Sequence, residues 1–454
     1  METSVNKIPT ILIVGAGIGG LSFYQSARKN LDQKFNVKIF DRETSPQGSS
    51  FNANEIIFKK AIDYFTSLFY CTPSKVQNRL IEAIPSPTSK EHHSTMIIDH
   101  AGNLLFSAPQ QNFNIYEMEP LKHDFAGIVA YRNILRDVLL DGVDVQWGKK
   151  CVGYEESEDG VWALFDDGTR EFGDLLIGAD GINSPIRKQM VPDLKILDPG
   201  VTSVDIDVVI PKYMADKLMN IYKNAIIQWS LGKNGDAFLS SMRYIPVNES
   251  DEPRYRLNFA YHYPTILDIN ENNKLVDDNY PESVVKHTIS RIKQLRPPGE
   301  LRDLIIEILS LALHSNSGYS EKYPFRTYNP IRRRQLRDID PLSVPDWKDG
   351  RVVLLGDAAH AMNPILGLGA NNAMQDADLL TKELINYEKY GLFECIKRYN
   401  KQMRDRSSKA VLASRYVALK QAIPLENFGL FARNFILRAY NMAMHAVAFI
   451  QTHP

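Results

Sequence analysis

Cysteine, net charge and long apolar runs are all scarce in this chain. Three cysteines, Cys71, Cys151 and Cys395, stand far apart in 454 residues, with no C-x-x-C pair. This excludes a disulfide framework and a zinc site of ordinary ligand spacing. Isolated thiols suit a reducing, cytoplasmic setting. The formal net charge is -1, so nothing global favours nucleic acid, and Arg332-Arg333-Arg334 reads as a solvated face or loop edge. No stretch reaches the roughly 20 uninterrupted apolar residues of a membrane span. The nearest, Phe428 to Ile450, is broken by Arg433, Asn434, Arg438, Asn441 and His445. Its Phe431, Phe435, Leu437, Met442, Val447 and Phe449 leave two readings open, packing on the protein body or peripheral contact with a membrane surface. Ile8 to Leu21 is apolar but glycine-rich, without the basic start of a signal peptide.

What is present is an ordinary globular composition, 44% apolar and 24% charged, long enough for two or three domains. Thr10 to Val14 reads as a buried strand, Ile18 to Asn30 as a helix and Asn36 to Phe40 as a second strand, a βαβ unit of a parallel sheet. Glu55 to Leu68 reads as a helix. Thr95 to Ile98 and Asn103 to Ser107 read as a hairpin, and Tyr131 to Leu140 as a helix. Short strands follow to Phe172, with Leu175 to Ile177 buried. From Val201 to Tyr263 the alternation predicts a mostly antiparallel sheet. Pro281 to Leu313 reads as helical with a break at Pro297-Pro298-Gly299, Val352 to Leu355 as a buried strand, and the rest as helical. Parallel-sheet signals thus lie in three separated places, with the antiparallel material between the second and third. That pattern predicts an α/β nucleotide domain with a sheet inserted into it.

Three motifs carry chemistry. Gly15-Ala16-Gly17-Ile18-Gly19-Gly20 follows a strand and opens a helix: Gly15 makes the turn, Gly17 admits a pyrophosphate, and Gly20 lets helix and sheet approach. Backbone N–H groups and the helix dipole would face the phosphates. Asp41, at the end of the second strand, is placed to accept hydrogen bonds from a ribose diol. Asp180 and Gly181 end the buried strand Leu175 to Ile177, at the edge where open α/β sheets bind ligands. Gly356-Asp357-Ala358-Ala359-His360 follows another strand and leads through Pro364, Gly367, Gly369, Ala370 and Asn371 into a helix, a second N-terminus for negative charge. On these residues alone both NAD and FAD fit the first motif.

Together the motifs resemble the single-component (group A) FAD-dependent monooxygenases, the aromatic-hydroxylase-like family that includes fungal biosynthetic hydroxylases and epoxidases. The likeness runs from about Thr10 to Arg415. It implies an α/β fold: a Rossmann-like FAD-binding domain of the GR2, p-hydroxybenzoate-hydroxylase-like type, an inserted mostly antiparallel substrate sheet and a helical C-terminus. The expected boundaries are 1–75, 125–195 and 345–415 for the FAD-binding domain, 76–124 and 196–344 for the substrate domain, and 416–454 for a helical tail. It further implies FAD, NADPH or NADH as co-substrate, O₂, and hydroxylation or epoxidation through a flavin C4a-hydroperoxide. The implied cofactor residues are Gly15, Gly17, Gly20, Asp41, Arg42, Gly48, Arg132, Val152, Asp180, Asp357, Pro364, Gly367, Gly369, Ala370 and Asn371. Arg132 enters through Tyr131-Arg132-Asn133-Ile134-Leu135, which resembles the family's R-x-x-L helix. Because the cofactor carries the hard chemistry, no protein nucleophile or metal is required.

Substrate contacts are expected from the inserted sheet, with Arg243, Tyr244 and Tyr261 as candidate catalytic residues and Trp229 and His262 beside them. The expected partner is a small-molecule substrate, and the chain is expected to be a monomer or homodimer. A dehydrogenase or reductase of the same fold, a halogenase and a non-catalytic FAD-binding protein are the alternatives. The G-W-x-W-x-I-P segment of the halogenases is absent.

Overall fold

The computed structural model describes residues 8–32, 34–46, 54–58, 95–107, 127–223, 225, 227–245, 254–270, 276–314 and 331–452. Five parallel strands form the nucleotide sheet, in spatial order Val352–Leu354, Leu175–Gly178, Thr10–Val14, Asn36–Phe40 and Val145–Gln146. Numbered along the chain and read from the Val145–Gln146 edge this is the order 3-2-1-4-5, the doubly wound arrangement whose ligand crevice opens where the order reverses, beside the first strand. Its strands read as continuous apolar runs because both faces are covered: Ile11, Leu12, Ile13, Leu175, Leu176, Ile177 and Val353 are fully buried. Each such side chain contributes about 1.5–3 kcal/mol of burial.

The helices Ile18–Asn30 and Gly369–Ile385 pack against one another. Gly19 makes the approach close, since a Cβ there would stand 3.3 Å from Ala373 Cβ on the facing helix and 2.5 Å from Leu355 Cδ2 beneath. The long helix Leu392–Gln421 lies against Gly369–Ile385, and its Tyr399 donates to the Leu354 carbonyl at 2.9 Å. The strands Arg170–Gly173, Val161–Phe165 and Cys151–Glu156 form a small antiparallel sheet alongside.

The inserted sheet has seven strands, in spatial order Arg332–Gln335, Val201–Pro211, Arg254–Pro264, Ala237–Ile245, Ile227–Leu231, Thr95–Asp99 and Leu104–Ser107. Every neighbouring pair is antiparallel except Ile227–Leu231 with Thr95–Asp99. Alternation gives it two unlike faces. Val204, Ile206, Val208, Leu257, Phe259, Tyr261 and Tyr263 point into a second core, closed by the helices Pro281–Leu295 and Glu300–His314. Their neighbours in sequence face the nucleotide domain.

One expected element differs. Residues Asn54–Phe58 form a strand antiparallel to Gly127–Tyr131 rather than the start of a helix; the remainder of that predicted helix lies outside the described residues. The Asn-Glu-Ile-Ile-Phe run pairs with a segment some seventy residues onward, a partner invisible to local periodicity. The helix predicted over Tyr131 to Leu140 spans Arg132–Leu139, and the predicted two-part helix after Pro281 is present with its break. No helix among the described residues is long and apolar enough to cross a membrane.

Candidate active site

One cavity of about 910 Å³ lies between the carboxyl ends of the parallel strands and the polar face of the inserted sheet. Its floor is the first glycine turn. Gly15 has φ +110°, and a Cβ there would stand 2.3 Å from the Ala179 carbonyl, so only glycine fits. Gly17 precedes the helix Ile18–Asn30 with no side-chain cap and no acidic residue in the first turn. The first N–H groups of that helix therefore open onto the cavity as an anion site. Gly20 lies beneath, where a Cβ would stand 2.0 Å from the Gly15 carbonyl oxygen; it sets packing and does not line the cavity.

Asp41 lines the cavity and is 9% exposed. Its Oδ2 accepts from Ala16 N at 2.6 Å and its Oδ1 from Glu43 N at 2.8 Å. Each oxygen keeps a lone pair, so the carboxylate braces the glycine turn and can still receive a ribose hydroxyl. Arg42, Arg132 and Val152 also line the cavity, Val152 with 51% of its surface exposed. Gly48 lies outside the described residues.

Asp180 enters from the end of Leu175–Gly178. Both its carboxylate oxygens are buried and lack a partner in hydrogen-bonding geometry. Burial pushes this carboxyl up to about 6, partly offset by the nearby Ser184 hydroxyl and Arg187 guanidinium. A buried acid without partners, aimed into a cavity, is a group that waits for a ligand's donors.

The third wall is the Gly356–Ala370 turn, from which Asp357, Pro364, Gly367, Gly369 and Ala370 line the cavity. A buried network holds it. Asp376 accepts from Gly356 N at 2.8 Å, pairs with His360 Nε2 at 2.6 Å and is held by Arg406. His360 is thus a brace for this turn, fully buried. The helix begins at Gly369, two residues before its expected start, without a side-chain cap. Asn371 does not line the cavity; its amide donates to the Gly367 carbonyl and closes the turn.

The remaining wall is the sheet face carrying Asp205, Asp207, Asn258, Ala260, His262, Leu239 and Ile227. Asp207 receives Arg256 in a buried bidentate pair, at 2.8 and 2.6 Å, and Asp205 lies 2.9 Å from Arg334. His262 is 3% exposed and neither ring nitrogen has a hydrogen-bond partner. Burial pushes it down to about 4, so it is neutral at pH 7. Cys151 also touches the cavity, but burial raises its thiol to about 11, which keeps it protonated.

Two substrate-side expectations need correction and three residues were missed. Tyr261 points away from the cavity: it is fully buried in the second core, 4.7 Å from the Phe238 ring, because its strand alternates and His262 takes the cavity side. Trp229 is on the cavity side of its strand but packs among Leu336, Ile365 and Ala418 rather than lining the cavity. Arg243 and Tyr244 lie on the strand Ala237–Ile245, with side chains outside the described residues. The missed Arg136, one turn beyond Arg132, lines the cavity and donates to the Ala16 carbonyl at 2.9 Å and the Pro46 carbonyl at 2.7 Å. The missed Lys149 and Lys150 line the same end. Among the described residues no group of three or more His, Cys, Asp or Glu side chains could hold a metal.

FAD fits this frame on its own evidence: two uncapped helix N-termini suit a diphosphate and an anionic ring, and Asp180 supplies a buried carboxylate without a donor. Comparison with known proteins points the same way. Residues 326–414 match the FAD binding domain family and residues 13–79 the NAD(P)-binding Rossmann-like domain family. The FAD-dependent monooxygenase thnD of Trichoderma harzianum is 25% identical over 423 residues, 89% of this chain and 92% of that protein. The fold is shared with Klebsiella pneumoniae HpxO, solved with FAD and uric acid (TM-score 0.67, 21% identity, 95% of this chain and 93% of that one). It is shared equally with 2,6-dihydroxypyridine-3-hydroxylase of Arthrobacter nicotinovorans (TM-score 0.66, 19% identity, 92% and 95%). Fold and site together define an oxidoreductase dependent on FAD and NAD(P)H. The chain is an FAD-dependent monooxygenase that acts with NAD(P)H and O₂, and it is similar in sequence and fold to the single-component monooxygenases of the p-hydroxybenzoate-hydroxylase-like fold.

Proposed function

We propose that this chain is a group A hydroxylase or epoxidase acting in the cytoplasm on a phenolic or alkene-bearing molecule. The observation that carries this reading is the single cavity shared by the nucleotide turns and the polar sheet face. Bound FAD would supply the chemistry of O₂ activation, with NAD(P)H as the source of electrons. The chain's own residues do the rest. The N–H groups after Gly17 take the pyrophosphate, with Arg132 beside it, and Asp41 takes the ribose. Asp357 and the turn from Pro364 to Ala370 take the ribityl chain and the ring, where the N-terminus of Gly369–Ile385 favours negative charge.

On the opposite wall, neutral His262 can accept a hydrogen bond from a substrate hydroxyl at its unprotonated ring nitrogen and so orient the substrate; with burial pushing it down to about 4 it is too weak a base to take the proton outright. Leu239, Ile227 and Ala260 offer apolar surface that excludes water. The cytoplasmic setting accords with Cys151 and Cys395, both buried and free.

The test is purification, an absorption spectrum, and NADH or NADPH oxidation with O₂ uptake across phenols and prenylated or polyketide-like compounds. The expected result is a yellow protein whose NAD(P)H consumption rises with substrate, and a product carrying one atom of labelled O₂. A flavoprotein that reduces its FAD with substrate and consumes no O₂ would instead be a dehydrogenase. A colourless protein that FAD cannot reconstitute would end the reading altogether.

A further inference from the structure

The C-terminal helix Asn427–Thr452 is built inside out. Its polar side chains turn toward the protein. Arg433 donates to the Gly232 carbonyl at 2.7 Å, Asn441 accepts from Ser107 N at 2.7 Å, and Asn434 approaches Asp99 at 3.5 Å. Between them Leu437 packs beside Leu105, Leu231 and Ala237. Arg438, at the edge, donates to the Leu104 carbonyl.

The large apolar side chains turn outward. Phe428 is 82% exposed, Phe435 60% and Met442 66%. They recur every seven residues and so form one line along the helix. Phe431, Ile436 and Ile450 flank that line and are about two-thirds exposed. A soluble helix buries its apolar stripe and wets its polar one; here the order is reversed, over a helix about 39 Å long. A continuous outward apolar face of this kind marks an interaction surface.

We propose that this helix lies in the plane of a lipid bilayer interface, its aromatic face in the headgroup–acyl boundary and the rest of the enzyme above it. Charge selects lipid over a second copy of the chain. Of the six lysines and arginines after Asp405, Arg406 and Arg415 pair with Asp376 and Asp338 and Arg433 turns into the protein, which leaves Lys409, Lys420 and Arg438 exposed against one acid, Glu426. Arg438 and His445 run along the border of the apolar face, and no aspartate or glutamate occurs from 427 to 454. Two copies packed face to face would bring the border cations together with no acidic side chain on the helix to pair them, whereas anionic headgroups would pair the exposed ones. The helix is too polar to cross the bilayer, so it lies on it. This inference stands apart from the oxygenation chemistry, because it concerns a different surface and does not need turnover to be observed.

The experiment is flotation of the full-length, FAD-loaded protein with vesicles of phosphatidylcholine alone and of phosphatidylcholine mixed with phosphatidylglycerol, with sedimentation velocity in buffer alongside. The wild type should float with both and more strongly with the anionic mixture. A combined Phe428→Gln, Phe435→Gln, Met442→Gln variant should lose vesicle partition by at least about tenfold. Its flavin content and melting temperature should equal the wild type's, since all three residues face outward. Failure of the wild type to float overturns the proposal. So does a wild-type dimer that the triple variant converts to monomer without any vesicle binding, which would make the face a contact between two copies.

Discussion

Gly17→Ala and Gly20→Ala are three residues apart and chemically identical, yet the structure separates their consequences. At Gly17 an added Cβ meets nothing within 4 Å, and the backbone, at φ -82° and ψ -176°, suits any residue. The apoprotein should lose less than about 1 kcal/mol, the cost of alanine at a helix N-cap. The new methyl, however, occupies the space into which the cavity opens, and FAD affinity should fall at least about tenfold, or about 1.4 kcal/mol.

At Gly20 the Cβ would stand 2.0 Å from the Gly15 carbonyl oxygen and 3.3 Å from Ile13 Cγ2. A backbone oxygen cannot rotate aside, so the helix must lift from the strand. Overpacking costs up to about 3 kcal/mol, and alanine's better helix propensity returns about 1, leaving a net loss of about 2 kcal/mol in the apoprotein. Thermal or denaturant unfolding of both apoproteins, with fluorescence titration of FAD, reads the two effects separately. Equal destabilisation of the two, or unaltered FAD affinity in Gly17→Ala, would refute this assignment of turn and packing roles.

Further outcomes follow from the buried titratable groups. Asp180 has a raised pKa in the fold, so its protonated form contributes stability below about pH 4 that is lost as pH rises through about 6. Apo Asp180→Asn should therefore exceed wild type by about 2 to 3 kcal/mol above pH 6, and the two unfolding curves should converge in acid. His262 behaves oppositely: buried and neutral, it loses stability as pH falls from about 6.5 to about 4, where the unfolded chain takes up the proton. His262→Gln should abolish about 3 kcal/mol of that acid sensitivity in a pH series of melts. Tyr261→Phe removes a buried hydroxyl that has no partner, so stability should hold or rise slightly and turnover should be unaffected; a large loss of turnover would return Tyr261 to the site.

The nucleotide half was legible because its information is local. Gly15, Gly17, Asp41 and Asp357 each follow a buried strand within a few residues, and the physical demand on each is met by its immediate neighbours. The sheet face was legible in principle but was read out of phase. Leu257, Phe259, Tyr261 and Tyr263 alternate with Arg256, Asn258, Ala260 and His262, so the strand itself says that Tyr261 and His262 cannot both face the cavity. Arg136 could have been found the same way, four residues after Arg132 on one helical face. The strand Asn54–Phe58 could not, since what makes it a strand is its partner Gly127–Tyr131. Nor could the Asp376–His360–Arg406 brace, whose members meet only once three helices are assembled.

The edge strand Val352–Leu354 has a consequence in time. It completes the sheet beside Leu175–Gly178, yet the ribosome delivers it only after the entire inserted sheet. At bacterial or eukaryotic elongation rates that interval is on the order of ten seconds or more. Throughout it the nascent chain holds the glycine turn and Asp180 but lacks Asp357 and the helix that follows. Flavin capture is therefore deferred to the end of synthesis, and the inserted sheet must fold on its own helices, Pro281–Leu295 and Glu300–His314, before the cofactor can help hold anything in place.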